Sequence, residues 1–226
     1  LRIASNGEGA FNYVAGLYYF RQVLTGQPNS VYGPYGAPWL IGPTTGSNAT
    51  PVPANLLDGY GQTGDTRFAT NSYAAFAEVN WRIMPRLTVT GGLRYTYEAK
   101  EGDYSTQVLG GPATSNTALI NARLGALRPQ TYSARDSEGS LSGRANISWE
   151  PVDDVLLYAS FARGFKSGGI NMSGLPLDAN NQPVLSTAAV DPERNTTWEA
   201  GLKSTLWDGR ITLNLAAYHT TVSDFQ

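Results

Sequence analysis

The chain has 226 residues, 15% of them charged, with a formal net charge of −2, one histidine and no cysteine. Soluble domains carry about 25% charged residues, so this chain is unusually poor in charge, and its balance leaves no basic footprint for nucleic acid. The absent cysteine excludes a disulfide scaffold, thiol catalysis and Cys-ligated zinc, and a lone histidine excludes a multi-histidine metal site. The 25 Gly, 13 Tyr and 5 Trp suit a β-protein with aromatic girdles. No run approaches the roughly eighteen apolar residues of a membrane helix, which leaves a soluble fold or a β-barrel. The chain lacks a signal peptide and an initial Met and is expected to be an internal part of a longer product.

Residues 1–5 read as the end of a strand, and Asn6-Gly7-Glu8-Gly9 as a turn. From Ala10 to about Gln22 the chain alternates, with Phe11, Tyr13, Ala15, Leu17 and Tyr19 on one parity; a period of two is a strand. Residues 23–70, rich in Gly, Pro, Asn and Thr, read as one long loop carrying Tyr32, Tyr35, Trp39 and Tyr60. The plainest hairpin follows. Tyr73, Ala75, Ala77, Val79, Trp81 and Ile83 lie opposite Glu78 and Arg82, Met84-Pro85-Arg86 turns the chain, and Leu87, Val89, Gly91, Leu93, Tyr95 and Tyr97 return opposite Arg94 and Glu98. Residues 101–139 read as a second long loop with a short helix over 117–124.

The next hairpin alternates most strictly. Leu141, Gly143, Ala145, Ile147 and Trp149 oppose Ser142, Arg144, Asn146, Ser148 and Glu150; Pro151 to Asp154 is a tight turn; Val155, Leu157, Ala159 and Phe161 line the return arm. A third long loop is expected over 167–194. The last hairpin joins 195–207 to 210–221 through Asp208-Gly209, a two-residue turn signal, with Thr196, Trp198, Ala200, Leu202 and Leu206 opposite Thr197, Glu199, Gly201 and Lys203. Short turns and long loops thus alternate along the whole chain. Arms of ten or more residues, against about nine to eleven tilted residues needed to cross a bilayer, fit a transmembrane barrel whose short turns face the periplasm and whose long loops face outside. Trp81, Trp149 and Trp207 precede short turns, where a periplasmic aromatic belt would fall, although strict parity points Trp207 inward. Tyr19, Tyr95, Tyr97, Phe161 and Trp198 would form the upper belt.

No catalytic set emerges. His219 has no evident partner for a triad and reads as a side chain near a strand end. Gly164-Phe165-Lys166-Ser167 lacks the Gly-Lys dipeptide of a phosphate loop. Asp153, Asp154 and Asp208 belong to turns. Triplets of the glycosylation type at Asn48, Asn171 and Asn195 would suggest glycosylation in a secreted eukaryotic protein and are compositional coincidence in a bacterial one. No enzyme activity, metal or cofactor is expected.

The run Tyr158-Ala159-Ser160-Phe161-Ala162-Arg163-Gly164-Phe165-Lys166-Ser167-Gly168-Gly169-Ile170-Asn171 resembles the barrel of TonB-dependent outer-membrane receptors. Asp191-Pro192-Glu193, then Trp198-Glu199-Ala200-Gly201-Leu202-Lys203, Asp208-Gly209-Arg210 and Leu213-Asn214 continue the likeness in order. Leu1 to Ser5 and the run Tyr13 to Phe20 are similar to an earlier hairpin of the same receptors. The resemblance implies a barrel of about twenty-two strands, of which this chain would supply about eight, antiparallel and up-and-down, across residues 1–226. It implies a Gram-negative outer-membrane location, a plug domain and closing strands outside this chain, and a TonB complex that energises uptake of a scarce ligand, most often an iron–siderophore complex.

On that resemblance, Glu78, Arg82, Arg94, Glu98, Arg144, Glu150, Glu199 and Lys203 face the lumen and the plug. Arg163, Lys166 and Asn171, with the loop aromatics Tyr32, Tyr35 and Trp39, are ligand-contact candidates. Charges of both signs in a lumen equally satisfy one another, and loop aromatics equally pack loops. Two other readings stay open: a passive porin-like or small closed eight-stranded barrel, and a soluble all-β carbohydrate-binding module.

Overall fold

The computed structural model describes residues 1–225. Eight strands form the path of the main sheet in chain order: β1 (Arg2–Ala4), β2 (Phe11–Gly26), β3 (Gly61–Met84), β4 (Leu87–Leu109), β5 (Gln130–Val152), β6 (Val155–Lys166), β7 (Glu193–Leu206) and β8 (Ile211–Ser223). Each pairs antiparallel with the next, and Asn29–Val31 adds a short strand beside β3. Among the described residues β1 and β8 do not pair with each other, so the sheet is open. Among the described residues no helix is long and apolar enough to cross a membrane.

Register carries the alternation from strand to strand. Tyr19, Tyr73 and Tyr97 form one cross-strand row, Ala77 and Leu93 pair midway down, and Phe11, Trp81 and Val89 form a lower row. These residues share the barer face; the opposite face holds Ser72, Ala74, Thr96 and Ser140, all buried. Eight residues separate Tyr73 from Trp81, about 27 Å of strand, and a barrel tilt of about 40° brings this near 20 Å, close to the height of a lipid-facing band. Tyr19 and Tyr73 meet at 5.0 Å between ring centroids, and Phe161 and Trp198 at 4.6 Å.

The upper loops are shorter than expected because the strands are longer. β3 begins at Gly61 and β4 runs to Leu109, so residues 61–72 and 98–109 are ladder, and the connections shrink to 27–60 and 110–129. This part alternates without apolar contrast: Thr63, Asp65 and Arg67 on one parity, Gln62, Gly64 and Thr66 on the other. The predicted helix appears as α2 (Thr117–Ala126), its N-terminus capped by Asn116 Oδ1, which accepts from the Ala118 and Leu119 amides at 2.9 and 3.4 Å. At the last turn Trp207, Asp208 and Gly209 all take positive φ, 54°, 53° and 85°. Trp207 therefore leaves the ladder before its parity applies, a wider turn than the Asp208-Gly209 pair predicts.

Both hydrophobic cores lie above the tyrosine row. One joins the first and second loops through Ala37 of α1 (Gly36–Leu40), Leu56, Leu57, Tyr60 and Leu119. Arg123 donates from Nε to the Leu56 carbonyl at 3.1 Å and lies 5.7 Å from the Tyr60 ring centre. Tyr60 donates to the Leu127 carbonyl at 2.8 Å; burial raises its phenol pKa, against the opposing charge of Arg123. The other core places Leu175 and Ala188 against Tyr104 and Tyr132, whose rings stack at 5.0 Å.

Candidate functional site

The covered face carries the predicted luminal charges. Glu78, Gly92 and Arg144 fall on one cross-strand row, and Arg144 bridges over β4 to hold Glu78 in two bonds of 2.8 Å each. The bridge passes over Gly92, where a Cβ would stand 3.0 Å from Glu78 Oε2. A bidentate fork is a strong geometry, but the Arg144 side chain is 61% exposed, and exposed pairs are worth about 0.2–1 kcal/mol. A double-mutant cycle with Glu78→Ala and Arg144→Ala is therefore expected to give a coupling under about 1 kcal/mol by denaturant titration.

Beside that pair, Arg94 donates from Nε to Thr96 Oγ1 at 3.0 Å and lies 5.2 Å from the Tyr18 ring centre. On the neighbouring strands Tyr158 donates to Glu199 at 2.5 Å, and Lys203 sits 5.6 Å from the Tyr158 ring centre. Gly201 admits the ring: a Cβ there would come within 2.6 Å of it. Phe76, Glu78, Arg94, Arg144 and Asn195 line an open hollow of about 460 Å³. Arg82 and Glu150 stand near the short turns, exposed, and the Glu150 amide donates to the Arg86 carbonyl at 2.9 Å. Glu98 sits at the top of this face, next to Lys100 at 3.1 Å.

The ligand-contact candidates scatter. Arg163 pairs with Gly143 and Thr196, on the outward parity of Phe161 and Trp198. Lys166 ends β6, exposed, on the covered parity. Asn171 is occupied by its own loop: its amide donates to the Ala188 carbonyl at 2.8 Å, its Oδ1 accepts from the Ser173 amide at 2.9 Å, and its carbonyl accepts from Tyr132 at 2.7 Å. Burial raises the phenol pKa of Tyr132, which lies well above the tyrosine row. Tyr32 packs against the loop core. Tyr35 and Trp39 are 83% and 84% exposed, free to meet a solute.

Sequence reasoning missed Lys100, Gln130 and Glu138, three covered-face residues of the upper strands. Gln130 clasps the third loop, donating to the Leu175 carbonyl at 2.7 Å and accepting from the Leu175 amide at 2.8 Å. Their signal was present only as parity: each falls on the same alternation as Glu98 or Ser140. Among the described residues no group of three or more His, Cys, Asp or Glu side chains is placed to hold a metal ion.

The family model described as "TonB dependent receptor-like, beta-barrel" matches residues 3–226. The pesticin receptor of Yersinia enterocolitica is 23% identical over 154 residues, 68% of this chain and 19% of that protein. The metal-pseudopaline receptor CntO of Pseudomonas aeruginosa is 31% identical over 104 residues, 46% of this chain and 12% of that protein. Among solved structures, the ferric yersiniabactin uptake receptor FyuA from Yersinia pestis aligns over 100% of this chain and 28% of its own, with a TM-score of 0.62 and 21% identity. At that identity the likeness is one of fold. The chain spans no more than 19% of the length of these curated relatives.

Proposed function

Because the chain belongs to the TonB-dependent receptor-like β-barrel family, we propose that it forms part of the wall of a receptor in a Gram-negative outer membrane. The receptor takes up a scarce ligand from outside, of the iron–siderophore class, and a plug domain elsewhere in the protein is worked by the TonB complex. One observation carries this reading: the covered face places Glu78, Arg94 and Arg144 together on β3, β4 and β5, whose outward face from the tyrosine row down to Trp81 is uncharged, with Arg163 of β6 the outward charge beside them. A barrel in lipid needs that division. A soluble module would put its charges on the barer face and its uncharged residues on the covered one. The small closed barrel requires β1 to pair with β8, and they do not.

Names of the relatives support the ligand class: one is a ferric yersiniabactin uptake receptor and another a metal-pseudopaline receptor. No catalytic step belongs to this reading. The plug contacts fall to the charges of the covered face, and ligand contact falls to the exposed Tyr35, Trp39 and Lys166. The test is deletion of the full-length gene in its host, followed by uptake of a panel of radiolabelled ferric siderophores with and without a functional TonB. Loss of one TonB-dependent uptake is expected. Unchanged uptake across the panel, with slower passive entry of small sugars instead, would replace the receptor by a porin.

A further inference from the structure

β6 pairs only with the lower half of β5, from Gly143 downward, and at Lys166 the chain leaves the sheet. The next residue is caught at once. Ser167 Oγ lies 2.5 Å from Glu98 Oε2 and 2.8 Å from Glu138 Oε1, and the Gly168 amide donates to Glu138 Oε1 at 3.2 Å. Lys100, only 7% exposed, turns its ammonium to Ser167 Oγ, to the Gly168 carbonyl and to Glu98 Oε2. An ammonium has three hydrogens; this turn supplies two of the acceptors and Glu98 of β4 the third. At Gly168 a Cβ would collide with the Val190 carbonyl, and Gly169 and Ile170 pair with Val190 and Ala189. The two ends of the segment therefore meet in a closed neck.

Beyond the neck the segment returns over the covered face. Gly102 makes room for it: a Cβ there would stand 2.8 Å from Met172 Sδ and 3.0 Å from Ile170 Cγ2. Gln130 and Tyr132 then bond its backbone at Leu175 and Asn171. A buried ammonium without partners is costly, so Lys100 is stable in its covered place only while Ser167 and Gly168 complete its shell. The fastening and the covering depend on each other.

We propose that residues 167–190 are a strap fastened across the inner wall above the lumen, with Lys100, Glu98 and Glu138 as positioning residues that hold its neck. This rests on the reading that the covered face lines a lumen. A solute arriving from outside passes beside the strap, and release of the neck widens the entrance.

The test is hydrogen–deuterium exchange of the purified full-length receptor in detergent, comparing wild type with Lys100→Met and the milder Ser167→Ala. Peptides covering 168–190 are expected to exchange at least tenfold faster in Lys100→Met, and several-fold faster in Ser167→Ala, while peptides covering 73–97 keep their wild-type rates. Wild-type rates across 168–190 in both variants would overturn the proposal, as would free-peptide rates there in the wild type. Heat-modifiable gel migration reports whether each variant folds, and if Lys100→Met does not, Ser167→Ala decides. No ligand enters the measurement, so a failed uptake experiment and a failed strap are separate results.

Discussion

Leu93→Arg is expected to cost the receptor about 2–4 kcal/mol in a bilayer, the penalty for a cationic side chain at the midplane of an outward barrel face. Leu93 pairs with Ala77, midway between Tyr73 and Trp81, and its side chain is on the barer face. Its immediate neighbour Arg94 is already an arginine, tolerated because it faces the other way, where Thr96 and Tyr18 receive it. The paired control is Asn146→Arg on the covered parity, beside Thr90 and Ser160. A change of about 0.5 kcal/mol or less is expected there, as for an ordinary solvated site. Urea unfolding of the reconstituted full-length receptor reads both values. Equal losses at the two positions would mean that the two faces do not differ, and a larger loss at Asn146 that they are assigned the wrong way round.

Leu57→Ala is expected to remove about 2–5 kcal/mol from the loop core, the usual cost of emptying a fully buried leucine site. Leu57 is 0% exposed and sits with Ala37, Leu56, Tyr60 and Leu119, so the core draws on the first loop and on α2 together. The loss should therefore stay above the tyrosine row and reach both connections. Limited proteolysis of intact cells is the check. Cleavage is expected within 27–60 and 110–129 together, with the strands below still migrating as a folded barrel. Cleavage in one segment alone would show that the two loops do not share a core.

What could be read from the sequence was whatever repeated every second residue against an apolar background. The hairpins around Met84 and Pro151 stood out because Ala, Val, Leu, Tyr and Trp fell on one parity and charges on the other. Where both parities are polar, as at Thr63, Asp65 and Arg67 against Gln62, Gly64 and Thr66, the ladder continues without that contrast and reads as loop. The helix at Thr117 was legible from its local run. The turn at Trp207 was not, because Asp208-Gly209 signals a tighter connection than the three successive positive φ values produce.

The strap lay furthest from view. Lys100, Glu138 and Ser167 are separated by 38 and 29 positions, and only pairing of β4 with β5 brings Glu98 opposite Glu138. The run Gly164 to Gly169 marked the place by resemblance, without telling what it fastens. Of the ligand-contact candidates, Asn171 shows the limit most clearly. A polar residue in an outer loop looks available in a sequence, yet three backbone neighbours and Tyr132 already use its groups.

The twelve residues from Gly61 to Ser72 give β3 about 40 Å of further strand beyond the tyrosine row, matched by β4 up to Leu109. On the outside of this projection Arg67 stands 3.5 Å from Asp103 and 3.7 Å from Glu101, which also holds Arg135 at 2.7 Å. In the proposed receptor such a tower would lift the connection 27–60, with Tyr35 and Trp39, clear of the lipid-facing band. Antibodies raised against 27–60 should then label living, unpermeabilised cells, and would do so at an address that no lipid-embedded part of the wall offers.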